Sequence, residues 1–173
     1  MAELSAALGI EGLRVQTLRA VPAAALRYLT PAGGFAAALG AAGLTLPECG
    51  RALGVADLTL AWRSPSETLC LAATGEQLAQ LSARLGEHVD GCLVELTGAL
   101  DVLALSGSRL AELLVRVGST ASLPGQGEAR RSRMADVPVL AIALGTARVQ
   151  LVLERTYREH LLGWIAATLA DLA

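Results

Sequence analysis

The stretch LTLAWRSPSETLCLA, residues 58–72, decides the fold. Two short apolar runs, LTLAW and ETLCLA, flank a polar corner. Their length and bounding residues read as strands. Pro65 fixes its own φ and has no N–H to give to a ladder, so it belongs in the turn between them. The stretch therefore reads as an antiparallel hairpin of strands 58–62 and 67–72. In this reading Trp62 packs on the sheet or on a partner, and Glu67 ties down the corner.

The pattern continues outward on both sides. Thr74 is placed to cap a helix in which Leu78, Leu81 and Leu85 share one face, with Gly86 as its stop. Residues 92–97 (CLVELT) and 101–106 (DVLALS) read as a second strand pair turned at Gly98, and a Ser-Gly-Ser element then starts a second helix. Its apolar positions are 110, 113, 114 and 117. Residues 58–117 thus read as two similar strand–strand–helix units inside a single domain covering 1–173. Upstream, residues 13–21 alternate as a strand, and the Ala/Gly-rich segment 22–57 holds a short helix near 34–42 ended by Gly43. Downstream, residues 118–129 lack periodicity and read as a long loop. An arginine-rich strand, a hairpin of 137–144 and 147–153 around Gly145, and a helix over 156–170 follow. Hairpins alternating with helices predict an α+β fold, with mostly antiparallel sheets carrying helices on one face.

Composition narrows the function. The chain of 173 residues is 53% apolar but only 3% aromatic, so its core must be built mostly from Leu, Val and Ala. All 14 basic residues are arginine, and the net charge of −2 gives no electrostatic reason to expect nucleic acid. Cys49, Cys70 and Cys92 form no CxxC, and His88 and His160 are isolated, so no metal site is expected. The first residues carry no basic n-region, and the apolar runs are shorter than a membrane span. A cytoplasmic protein without membrane or nucleic-acid partners is expected.

No catalytic set assembles from the residues. The glycines of PAGG (31–34) and GQG (125–127) do not match a phosphate-loop motif. Ser106 lies in LSGS, but residue 104 is alanine, so the nucleophile elbow is incomplete and the serine reads as a helix cap. Cys70 alternates with leucines and reads as core or sheet surface. Glu95 and Asp101 flank the turn at Gly98 and read as ordinary hairpin charges. Arg130, Arg131 and Arg133 form the one dense basic cluster, and Arg131 and Arg133 share a strand face by alternation. They read as a solvated or partner-facing strand. The profile fits a subunit whose surface serves a partner.

Several segments together resemble the gamma subunit of heterotetrameric sarcosine oxidase, in order and over roughly residues 12–170. AALGAAGLTLPECGRAL resembles the family's short helix and Leu-Pro element. LAWRSPSETLCLA resembles its Trp-Leu-Gly-Pro-Asp-Glu-Trp corner, with Trp62, Pro65 and Glu67 at matching places and Arg63-Ser64-Pro65-Ser66 departing from it. VELTGALDVLALSGSRLAELL, RRSRMADVPVLAI and LVLERTYREHLLGWI resemble the family's later strand and helix units. The resemblance implies a fold like the folate-binding domain of the glycine-cleavage T-protein, and a place beside alpha, beta and delta subunits. It implies a non-catalytic accessory role in oxidative demethylation of sarcosine. FAD, FMN, NAD and tetrahydrofolate would lie on the other subunits, with no cofactor on this chain. Trp62, Arg63, Arg131 and Arg133 are then the candidates for contact with the alpha subunit. In T-protein relatives a catalytic Asp stands where this chain has Glu95, which makes Glu95 the candidate for folate if the chain were instead a stand-alone folate-binding protein. Glutamate places the charge one methylene further out.

Overall fold

Alternation within single strands divides the protein into layers. In the computed structural model, which describes residues 3–120 and 123–173, the chain begins β1 (Glu3–Ile10), β2 (Leu13–Arg19), β3 (Ala23–Tyr28), α1 (Gly34–Ala41) and β4 (Ala52–Val55). It continues β5 (Leu58–Ser64), β6 (Glu67–Ala72), α2 (Gly75–Leu85), β7 (Gly91–Glu95), β8 (Leu100–Ser106) and α3 (Leu110–Val117). It ends β9 (Glu128–Met134), β10 (Val137–Gly145), β11 (Arg148–Glu154), a 3-10 turn (Arg155–Tyr157) and α4 (Arg158–Leu172). A six-stranded sheet runs β1-β2-β8-β11-β10-β9 and a five-stranded sheet runs β4-β5-β6-β3-β7. The strand pairs described are antiparallel throughout.

The two sheets face each other and each carries helices on its outer face. On β8, Leu103 and Leu105 point outward to α3 and α4, while Leu100 and Val102 point inward to the second sheet. On β6, Cys70 and Ala72 face α1 and α2, while Leu69 and Leu71 face the first sheet. Strands apolar on both faces need this double cover. The inner layer mixes alanine (Ala23, Ala52, Ala61, Ala129) with larger residues such as Leu69, Leu100, Leu140 and Ile142, which fill the space between the sheets. Antiparallel sheets with helices on one face of each are the α+β arrangement read from the sequence.

The hairpin of residues 58–72 is present as β5 and β6, with Trp62 opposite Thr68 and a bulge between Trp62 and Ser64. Thr74 caps α2 in a full capping box with Gln77. Three readings need correction. β7 and β8 are not a hairpin: β7 pairs with β3 and β8 with β2 and β11, so the turn at Gly98 carries the chain between sheets. Burial accompanies the split: β8 is apolar on both faces and lies central between β2 and β11, whereas the less buried β7 forms an edge of the other sheet. Ser106 caps no helix; it is the last residue of β8, and α3 starts after Arg109 without a side-chain cap. Segment 22–57 holds two strands as well as its helix. β3 is the run AAALRY, in which Ala23, Ala24 and Ala25 are fully buried. Alanine has weak strand propensity and no apolar–polar period here, so sequence pattern misses it. Of the loop read at 118–129, residues 121 and 122 lie outside the described residues, and β9 begins at Glu128.

The buried Thr17 hydroxyl on β2 has no hydrogen-bond partner among the described residues. An unsatisfied buried hydroxyl costs more than it returns. Thr17→Val is therefore expected to raise stability by about 1 kcal/mol, read as a higher urea midpoint at unchanged m-value.

Candidate functional site

The corner between β5 and β6 is a braced turn. Ser64 Oγ accepts from the Ser66 N–H at 3.3 Å, and Ser66 O accepts from the Tyr28 N–H at 3.1 Å. The Tyr28 and Thr68 hydroxyls share a buried hydrogen bond of 3.0 Å. Glu67 accepts from Arg63 Nη1 at 2.7 Å and from Arg27 Nε at 3.0 Å. One carboxylate thus ties the hairpin to β3 and leaves a surplus positive charge. The corner is locked by its own hydrogen bonds and presents its arginines to the surface.

The four interface candidates do not form one patch. Arg63 and Arg131 line the same cleft of about 280 Å³ at the mouth between the sheets. Its floor is Leu69, Leu100, Leu140 and Val152, and Glu154 and Tyr157 stand at its rim. Arg27, Arg155 and Arg158 extend the basic rim into the next cleft. Trp62 lies elsewhere, half-buried in a cleft with Pro31, Leu44, Pro47 and Pro65 beside α1. Arg133 shares its strand face with Arg131 but turns to the β9–β10 turn, where it donates to the Asp136 carbonyl and lies 3.8 Å from the Asp136 carboxylate. Glu95 is exposed on the edge strand β7, opposite Ala24, and lines none of the clefts described here. The space between the sheets is filled by apolar side chains, so Glu95 walls no central pocket.

Sequence reasoning missed a second feature beside the corner. Leu29 is 82% exposed and Val89 is fully exposed. They share a shallow cleft with Arg27, Glu67 and Cys92, and the Leu29 N–H donates to the Asp90 carbonyl at 2.9 Å. Their outward position is built in. Asp90 accepts from the Phe35 N–H at 3.1 Å and so caps α1 across 55 residues of sequence. Gly91 has no room for a side chain, since a Cβ there would overlap the Phe35 ring. No usable sequence signal marks it: the phase that buries Tyr28 and turns Leu29 out depends on β3, which sequence pattern misses.

The loop entering the arginine strand is held by a carboxylate. Glu128 accepts from the Gly125 N–H at 2.8 Å and from Arg130 Nε at 2.9 Å. These bonds, the backbone one foremost, push its pKa below the usual carboxylate value. A depressed folded pKa gives stability that is present above the unfolded pKa and lost as pH falls through the folded value. Glu128→Gln is expected to flatten the acid limb of the stability profile below about pH 4.5, measured by thermal melts from pH 3 to 7.

Among the described residues no group of three or more His, Cys, Asp or Glu could hold a metal ion. The three cysteines are free, and burial pushes the Cys70 thiol up to about 12, which makes it inert. No described helix is long and apolar enough to cross a membrane. The clefts around the corner carry a basic rim and an exposed apolar pair, a composition that suits docking.

The family model for the sarcosine oxidase gamma subunit family matches residues 29–171. The sarcosine oxidase subunit gamma of Corynebacterium sp. (strain P-1) is 31% identical over 158 residues, covering 86% of this chain and 75% of that protein. The subunit gamma of an Arthrobacter species is 31% identical over 163 residues, covering 90% and 75%. A chain of the heterotetrameric sarcosine oxidase from Corynebacterium sp. U-96, solved with pyrrole 2-carboxylate, superposes with a TM-score of 0.83 at 25% identity, covering 95% of this chain and 87% of that one. Aminomethyltransferase T of the glycine cleavage system from Bartonella henselae shares the fold, with a TM-score of 0.58 at 18% identity over 84% of this chain and 43% of that one.

Proposed function

Because the chain belongs to the sarcosine oxidase gamma subunit family, we propose that it is the non-catalytic accessory subunit of a heterotetrameric flavoenzyme that oxidatively demethylates sarcosine in the cytoplasm. Its direct partner is the alpha subunit, with beta and delta completing the complex. FAD, FMN, NAD and the tetrahydrofolate acceptor are held by those subunits. The observation that carries this reading is the exposed pair Leu29 and Val89 beside the Arg27–Glu67–Arg63 cluster. Apolar anchors next to a charged rim are the composition of a specific interface. The charge at the corner adds register more than affinity, because exposed ion pairs are individually weak.

Burying each apolar side chain against a partner is worth about 1.5–3 kcal/mol. Changing both Leu29 and Val89 to Asp is therefore expected to weaken association with the alpha subunit by about a hundredfold or more, measured by titration of the purified subunits. Both side chains are already solvated, so the variant should melt within about 2 °C of the parent chain. Unchanged affinity would remove this face from the interface.

A further inference from the structure

The six-stranded sheet extends beyond the cover of the five-stranded one and leaves a shelf that the docking reading does not use. Its inner face carries two rows across three central strands. In the first, Arg14 on β2 and Arg148 on β11 both stand opposite Ser106 of β8. In the second, Gln16 and Gln150 both stand opposite Ala104. Residues in register across a sheet point to the same face. The neighbouring residues Leu13, Val15, Leu105 and Val149 point the other way, into the core under α3 and α4.

We propose that this shelf binds the anionic group, a carboxylate or a phosphate, of a small molecule that also has an apolar part. The cavity is about 620 Å³ and is lined by Arg14 and Arg148 with no Asp or Glu. Strand spacing puts the two arginine Cα atoms roughly 10 Å apart, with only the small side chain of Ser106 between them. That gap admits one anionic group within reach of both guanidiniums. Arg14 is braced from behind: with the Gln16 amide oriented as its surroundings require, its oxygen accepts from Arg14 Nη2 at 2.9 Å and Nε at 3.2 Å. Across the shelf the Gln150 amide oxygen is buried without a hydrogen-bond partner among the described residues. Orphaned buried polar atoms are rare and call for a partner; an N–H or O–H of the bound molecule supplies it. Ile142 and Leu144 form the apolar wall, and Leu144 is 43% exposed. A bulge between Ile142 and Gly145 bends that wall strand, a device common beside binding sites.

The test uses the full chain labelled with 15N and three probes: hexanoate, hexyl phosphate and neutral hexanol. At least one anion is expected to shift the amides of residues 104–106 and 148–150 saturably, and the tighter of the two identifies the group; hexanol should not shift them. Arg14→Gln and Arg148→Gln should each weaken binding about tenfold or more. Ser106→Glu, which puts a carboxylate between the arginines, should abolish binding and leave the melting temperature unchanged. The wild-type titration stands even if a variant folds poorly. Absence of saturable shifts with both anions, equal binding of hexanol, or binding that survives both arginine changes overturns the proposal. So does binding that disappears on assembly with the partner subunits, which would make the shelf a protein contact.

Discussion

Gly107→Ala is expected to lower stability by about 4 kcal/mol, the sum of backbone strain and overpacking. Gly107 has φ +134°, a conformation that L side chains rarely adopt. A Cβ there would overlap the Gly12 carbonyl oxygen and come within 2.9 Å of Leu13 Cα. The backbone has nowhere to go, because Gly12 O already accepts from the Arg109 N–H at 3.1 Å and the Gly107 N–H donates to Ala147 O at 3.2 Å. This crossing fastens the β1–β2 turn to the end of β8, directly beside the Arg14–Ser106–Arg148 row. A fall in melting temperature of roughly 10 °C, with broadened resonances around the shelf, is the expected result. Gly98→Ala is the contrast, since it also has positive φ but open space at its Cβ, and only the strain should appear.

Asp101→Ala should cost about 3 kcal/mol or more. Asp101 lies on β8 with its side chain only 3% exposed, and accepts from Arg158 Nη1 at 2.7 Å. Arg158 opens α4, with its side chain 14% exposed. Its guanidinium is held protonated beyond its ordinary range by Glu159 and by Asp101. Removing the carboxylate leaves a half-satisfied cation against the sheet, which costs more than the pair itself contributes. The same junction carries the Arg155 N–H to Ala99 O bond at 2.9 Å, so loosening α4 should also loosen the basic rim between the sheets. Asp101→Asn keeps an acceptor and should lose less. Chemical denaturation of both variants checks the order.

What the sequence made legible was local. The corner at 58–72 could be read because proline and alternation are both short-range signals. The Thr74 cap and the Leu78, Leu81 and Leu85 stripe could be read for the same reason. Pairing was not local. VELTGALDV looks like a hairpin because only the turn is visible, while the choice of different sheets for β7 and β8 is made by β3, β2 and β11 far away in the chain. The Asp90 cap on α1 spans 55 residues and leaves no pattern. Ser106 showed its serine but not the neighbouring Gly107, whose conformation explains the motif. Arg63 and Arg131 were named from separate motifs, and only the sheet packing brings them to one cleft. Alternation could not foresee that Arg133 turns away to Asp136, or that Trp62 lies on the α1 side. The polar phases of β2 and β11 were visible as Arg14, Gln16, Arg148 and Gln150. Their convergence needed the sheet order.

In its proposed role this chain is a stoichiometric partner that adds assembly and no chemistry. The most direct measurement is size-exclusion chromatography with light scattering on this chain co-expressed with the alpha, beta and delta subunits of its oxidase, with sarcosine turnover assayed on each separated species. One copy of this chain in the heterotetramer, turnover in the assembled species, and none in the isolated chain are the expected results. An isolated chain that stays monomeric and never enters the complex, or one that turns over substrate alone, would contradict it.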